Sequence, residues 1–100
     1  DNSLTAMGLR SLGLVDQALE LAQGILDMTK RQPYQRPPEL FCGFERMDGD
    51  DPVQYPVACT PQAWATGSVF QLMQMMVNLV PDAPSNTLRI IDPALPESIN

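Results

Sequence analysis

Carboxylates and aromatic rings are concentrated in one stretch of the chain, residues 31–60. Five of the twelve acids and four of the six aromatic residues lie there, and the only tryptophan follows closely. Carboxylates accept hydrogen bonds from hydroxyl groups, and aromatic rings cover the apolar faces of sugars, so this composition suits a neutral polyhydroxy ligand. The acids are Glu39, Glu45, Asp48, Asp50 and Asp51, the four aromatic residues are Tyr34, Phe41, Phe44 and Tyr55, and the tryptophan is Trp64.

Glu39 is the acid whose surroundings best suit a catalytic base. It follows Pro37 and Pro38, whose rings fix φ and keep the preceding residues extended, so the carboxylate ends a stiff segment. Firm positioning matters because a small displacement of a catalytic group lowers the rate strongly. Negative charges on Glu45 and Asp48, if they lie close, would make Glu39 a stronger base. The alternative interpretation is a solvated loop glutamate without a role.

Other chemistry-bearing residues leave two interpretations open or exclude a class of site. Residues 48–51 contain three aspartates, but the EF-hand spacing is absent and a solvated turn also explains them. Trp64 could stack on a sugar or pack in the core.

The absence of histidine excludes Ser-His-Asp and Cys-His catalysis and His-ligated zinc within the chain. Cys42 and Cys59 are too few for an all-cysteine zinc site, and they either pair or, as we expect, stay reduced. We therefore expect neither a metal nor a cofactor.

The charge balance limits the classes of partner. The net charge is −6, and the six basic residues form no cluster that would neutralise phosphates, so we expect no nucleic acid and no anionic membrane surface as a partner. No segment approaches the roughly 20 apolar residues of a membrane span. The first residues lack the basic and apolar regions of a signal peptide, so we expect a cytoplasmic protein.

Three helices and one strand are predicted to hold the 31–60 loop. Apolar residues recur at three- and four-residue intervals in the first two helices, and Gly13 separates them as a left-handed stop. The third helix begins with Thr60 as N-cap and Pro61 in its first position, and Pro81 ends it. The predicted helices span residues 3–12, 15–30 and 61–80, and the strand spans residues 87–91.

The third helix is apolar in nearly every direction. A helix that is apolar on all sides is usually buried on all sides, and two neighbouring helices cannot surround it. We therefore expect further helices outside these 100 residues. If the chain folds alone, the exposed sides of this helix predict self-association.

Two blocks of sequence resemble a known family. Residues 38–46 (PELFCGFER) and 55–65 (YPVACTPQAWA) are similar to the end of the catalytic domain in bacterial glycogen debranching enzymes of the amylo-α-1,6-glucosidase type. The opening residues 1–9 and the Leu95-Pro96-Glu97 segment are also similar, in the family's order. The resemblance thus covers nearly the whole chain, and the two blocks together are more specific than either alone.

The resemblance implies an all-α fold, the last helices of an (α/α)6 toroid with a long active-site loop and a short C-terminal strand. Residues 1–100 would be the C-terminal part of that glucosidase domain, with the rest of the domain and an α-glucan or oligosaccharide as partners. The implied activity is hydrolysis of α-1,6-glucosidic branch bonds of glycogen or limit dextrin by inversion, with Glu39 as general base and the general acid upstream. The residues expected to contact substrate are Asp1, Asn2, Phe41, Tyr55 and Trp64.

The sequence leaves two alternatives to this function open. The chain could be a non-enzymatic helical interaction fragment, or a related toroid glucosidase could act on another α-glucoside such as trehalose. Without the general acid, the 100 residues alone should be catalytically inactive.

Overall fold

The computed structural model describes residues 1–99 as three helices packed on one another and a two-stranded antiparallel hairpin. A single turn of 3-10 helix opens the long loop and another ends the described chain. The helices are α1 (Asn2–Ser11), α2 (Val15–Lys30) and α3 (Ala63–Val77), the strands are β1 (Leu79–Asp82) and β2 (Thr87–Ile90), and the 3-10 turns are Pro33–Gln35 and Glu97–Ile99.

Helices α1 and α2 form a helical hairpin over nearly the residues that the apolar spacing predicts. Gly13 joins them with φ of +80°, a left-handed conformation that glycine adopts without steric cost. The Leu14 N–H closes the turn by donating to the Leu9 carbonyl at 2.9 Å. A short tight connection of this kind forces the two helices to lie side by side.

The core lies where the three helices meet and is unusually rich in alanine. Small side chains from α1 and α2 allow those helices to approach closely, and the larger side chains of α3 cover them. The innermost residues, all at most 2% exposed, are Ala6, Ala18, Ala22, Leu72, Met75 and Met76.

The predicted bounds of the third helix are wrong at both ends. Gln62 is extended (φ −119°, ψ 130°) because its N–H donates to the Pro37 carbonyl (3.3 Å), so α3 begins at Ala63 and not at Pro61. The helix ends at Val77, where Asn78 adopts a left-handed conformation with φ of +50°. Asparagine tolerates this conformation, and its side-chain amide donates to the Ile91 carbonyl at 2.6 Å.

The predicted all-α fold class and the toroid assignment are wrong. The last residues that the sequence assigns to the third helix form β1, which pairs with β2 in an antiparallel ladder from Leu79↔Ile90 to Asp82↔Thr87. Pro81 therefore lies in a strand and is not the stop of the helix. The result is a small three-helix unit with a β-hairpin on the C-terminal end of α3.

Burial of α3 also differs from the expectation that every side is covered. One face carries the buried Leu72, Met75 and Met76, whereas Trp64, Phe70 and Met73 are 68%, 70% and 52% exposed. Within residues 1–99 the longest helix has 16 residues, and none is long and apolar enough to cross a membrane.

Candidate functional site

The loop between α2 and α3 folds back on itself. Phe41 and Gln54 form an antiparallel bridge, and beside it the Cys42 N–H donates to the Val53 carbonyl at 3.0 Å. Arg31, at the end of α2, anchors the distal part through the Asp51 carboxylate at 3.2 Å. The two arms of the loop are therefore held in register although neither has a strand period in its sequence.

The tip of this loop is a turn held by Asp50 and Gly49. The Asp50 N–H donates to the Met47 carbonyl, its carboxylate accepts the Met47 N–H at 3.1 Å, and Gly49 has φ of +96°. Within residues 1–99, no three acidic or cysteine side chains are grouped as metal ligands would be. The solvated-turn interpretation of Asp48 and Asp51 therefore fits this geometry.

Glu39 is held from both sides at the base of the loop. Pro37 and Pro38 are buried, and Glu39 is half-buried after them. The Glu39 N–H donates to the Cys59 carbonyl (2.9 Å), and the Cys59 N–H donates to Glu39 Oε2 (3.2 Å). With the Gln62–Pro37 bond, these contacts join the two sequence blocks 38–46 and 55–65 at one point.

This anchoring leaves one oxygen of the carboxylate available. Oε2 is bonded to the Cys59 N–H, while Oε1 accepts no hydrogen bond from residues 1–99. A carboxylate oxygen has further acceptor capacity, so Oε1 can bind a water molecule or a ligand hydroxyl. Glu39 is thus oriented by the backbone, and one of its oxygens is open to a further hydrogen bond.

Glu45 and Asp48 do not cluster with Glu39. The ladder from Glu39–Cys59 through Phe41–Gln54 runs toward the loop tip, and it carries these two acids away from Glu39. An extended segment advances about 3.3 Å per residue, so Glu45 lies well beyond contact range. Both side chains are exposed to solvent.

Helices α1 and α3 run in parallel, so both begin at the end of the molecule that carries Glu39. Ser3 in the first turn of α1 donates to Gln71 Oε1 at 2.6 Å, while Arg10 in its last turn donates to the Ile91 carbonyl at 3.4 Å, next to Asn78. Helix N-termini carry partial positive charge, and this end of the molecule therefore favours carboxylates and the oxygen atoms of polar ligands.

Asp1 and Asn2 lie at this end, at the start of α1, and both are exposed. The Asp1 carbonyl accepts the Thr5 N–H at 3.0 Å, and its carboxylate makes no capping bond. Within residues 1–99 no hydrogen bond joins either residue to Glu39. Their predicted role as substrate contacts stays a prediction.

The aromatic candidates occupy different positions around this end. Trp64, in the first turn of α3, precedes Gln71 by seven residues and so shares the face that meets α1. Since α1 begins one residue before Ser3, a gap of about 9 Å along the axis separates its start from Trp64. Trp64 is 68% exposed and Tyr55 46%, whereas Phe41 is half-buried in the loop bridge. The core interpretation of Trp64 is therefore wrong.

Three groups that build the site carry no signal in the sequence. They are the backbone N–H of Cys59, the backbone N–H of Gln62 and the carbonyl of Pro37, which act through peptide atoms that every residue possesses. Cys42 and Cys59 are both free thiols. The sequence indicates that these segments belong together only through the two blocks, 38–46 and 55–65, which occur in the order of the family they resemble.

Two grooves on the described surface lie away from Glu39. Two shallow grooves run along α2, one beside Leu21, Ile25 and Met28 and the other between α2 and residues 95–98. Neither Glu39 nor Trp64 lines them.

No protein-family model, no curated protein and no solved structure matches this chain.

Proposed function

We propose that this chain supplies the general-base loop of a hydrolase that cleaves α-glucosidic bonds of an α-glucan, α-1,6 branch bonds in particular, with inversion. The observation that supports this most is the junction at Glu39, where reciprocal bonds with Cys59 orient one carboxylate oxygen and leave the other open. The two blocks that resemble glycogen debranching enzymes meet at that junction. Resemblance and geometry thus favour the same residue.

The proposed chemistry uses only the open oxygen of Glu39. Oε1 accepts a proton from a water molecule while the water oxygen bonds to the anomeric carbon, and the glycosidic C–O bond breaks on the opposite face. The leaving oxygen takes its proton from a carboxylic acid supplied by the rest of the enzyme. The Cys59 N–H holds Oε2 throughout, so the carboxylate keeps its direction as its charge is neutralised.

Substrate binding relies on exposed rings and on the acidity of the loop. Trp64 offers a ring face beside the start of α1, and Tyr55 lies on the loop arm opposite the Glu39 arm. Between Glu39 and Thr60 the chain has five acids and one base, which repels anionic ligands and suits a neutral sugar. We place the first glucose unit against Trp64 and the exposed Asp1 and Asn2.

Sugar binding can be measured on the chain itself because Trp64 is its only tryptophan. Titration with isomaltotriose should shift the Trp64 emission, with half-saturation in the millimolar range. Glu39→Gln exchanges a charge-assisted hydrogen bond for a neutral one, a difference of about 1 kcal/mol, and should weaken binding about fivefold. The matched control Glu45→Gln, in the same loop but away from the junction, should bind like the wild type.

Catalysis requires the general acid, so the chain alone should release no glucose from limit dextrin. In the enzyme that contains both carboxylates, Glu39→Gln should lower kcat by about 10²–10⁴ and leave the melting temperature nearly unchanged. Near-normal turnover of that variant would exclude Glu39 as the base. If the Trp64 emission does not change up to 100 mM sugar, or if the Glu39 and Glu45 variants weaken sugar binding equally, the non-enzymatic interaction fragment would be favoured.

A further inference from the structure

The hydrogen bonds at the base of the hairpin decide which backbone groups of β2 point outward. The Ile91 N–H donates to the Asn78 carbonyl at 3.2 Å, so these residues form a hydrogen-bonded pair in the register of the ladder. Hydrogen-bonded and non-hydrogen-bonded pairs alternate along an antiparallel ladder. The N–H and C=O groups of Leu88 and Ile90 therefore face away from β1.

The two edges of the hairpin differ sharply. On the outer edge of β1, Pro81 has no N–H and blunts the edge. On the outer edge of β2, the backbone groups of Leu88 and Ile90 have no partner within residues 1–99, and their side chains are 62% and 60% exposed. An open edge with apolar side chains is a template for another strand.

We infer that β2 pairs with β2 of a second copy of this chain, antiparallel and about a two-fold axis at Arg89. In this register Leu88 of each copy opposes Ile90 of the other, and the two pairs form four backbone hydrogen bonds. A register shifted by two residues would bring Asn86 or Asp92 into the ladder, and these have φ of +48° and +45°, which ends a strand. The centred register is therefore the one that uses every outward group.

A second copy fits this edge better than an unrelated strand because the edge is complementary to itself. The centred pairing matches each donor with an acceptor and each apolar side chain with another, and cross-strand pairs of this type stabilise a sheet. The two Arg89 side chains face each other across the axis, and the bond of each to Asp82 (3.4 Å) offsets part of their repulsion.

The assembly closes at two copies. The resulting order is β1-β2-β2-β1, and Pro81 stands on both outer edges, so a third copy finds no complete row of donors. The contact is short, well below the 1,200–2,000 Å² of a stable interface, and the two Arg89 side chains face each other. We therefore expect a dissociation constant of about 10⁻⁵–10⁻⁴ M.

This interface is independent of the proposed hydrolase function. The hairpin is fixed to the end of α1 that carries Arg10, whereas Glu39 lies at the end where α1 and α3 begin. Pairing of β2 leaves the Glu39 surface open. The dimer experiment can therefore fail without affecting the sugar-binding result, and the reverse also holds.

Sedimentation equilibrium on the full chain, from 10 µM to 1 mM, tests the inference. The wild type should show a monomer–dimer equilibrium. Leu88→Pro removes an outward N–H and no bond to β1, so it should be monomeric with an unchanged far-UV spectrum. The matched control Leu88→Thr also loses the leucine side chain but keeps the N–H, and it should dimerise. Phe70→Gln, on the exposed side of α3, should also dimerise.

Disulfide trapping reports the register and does not depend on a proline variant. With Cys42 and Cys59 replaced by serine, Arg89→Cys should form a disulfide dimer on air oxidation, because residue 89 faces itself across the axis at a Cα distance of about 4.5 Å. Ser85→Cys, in the hairpin turn, should stay monomeric. A monomeric wild type at 1 mM, a dimeric Leu88→Pro, dissociation by Phe70→Gln, or equal trapping of both cysteine variants would overturn the inference.

Discussion

Removal of the Glu39 carboxylate should loosen the base of the long loop by a measurable amount. Glu39→Ala deletes the acceptor of the Cys59 N–H and leaves the backbone bond from the Glu39 N–H to the Cys59 carbonyl intact. A hydrogen bond to a charged group contributes about 1.5–3 kcal/mol, and less here because Cys59 is exposed and water replaces the lost partner. A cost of about 1 kcal/mol corresponds to a fivefold change in an equilibrium.

Amide hydrogen exchange measured by NMR resolves this effect at single residues. In Glu39→Ala the Cys59 amide should exchange about fivefold faster than in the wild type, and the Gln62 amide, bonded to Pro37, should accelerate less. Glu39→Gln keeps an acceptor oxygen, so its Cys59 amide should exchange at a rate between those of the wild type and Glu39→Ala. Unchanged Cys59 exchange in Glu39→Ala would show that the carboxylate does not anchor the loop, and an equal acceleration in Glu45→Ala would show that any loss of charge acts in the same way.

The remaining predictions concern the core, the helix hairpin and acid. Leu72→Ala, at a fully buried position, should lower the free energy of unfolding in urea by about 2–5 kcal/mol. Gly8→Ala, in α1 with open space at the Cβ, should stabilise the fold by about 0.5–1 kcal/mol, whereas Gly13→Ala, at φ of +80°, should cost about 1–2 kcal/mol. A hydrogen bond from Gln23 lowers the pKa of Asp27 below 3.8, so its contribution to stability is present above pH 3.8 and lost as the pH falls further. The difference between wild type and Asp27→Asn in urea should accordingly shrink below that pH, and a constant difference would contradict the assignment.

The elements that sequence analysis located well are those with local causes. Apolar spacing and Gly13 are contained within a dozen residues, and α1 and α2 lie where those signals indicate. The third helix failed at both ends because its limits depend on distant atoms. The Pro37 carbonyl holds Gln62 extended at the start of the helix. At its end, Leu79 and Val80 pair with β2 and form a strand, although their apolar side chains would also fit a longer helix.

The same distinction between local causes and distant contacts applies to the candidate site. Glu39 was selected because two prolines stiffen the segment before it, which is a local property, and both prolines are buried in the fold. The clustering of Glu45 and Asp48 around it could not be judged, because the direction of the loop arms is decided by the Phe41–Gln54 bridge. The exposure of Trp64 likewise depends on where α1 begins, 62 positions earlier in the chain.

The amino-acid sequence by itself determined the chemistry that this chain can carry: carboxylates without histidine, aromatic rings beside them, and two helices set by apolar period and a glycine. Tertiary structure decided which of these groups act together. Glu39 is oriented by a peptide N–H twenty residues away, and β2 has an open edge because Asn78 and Ile91 set the phase of its ladder. Backbone hydrogen bonds between distant segments use atoms common to all residues, and so they leave no mark in the order of side chains.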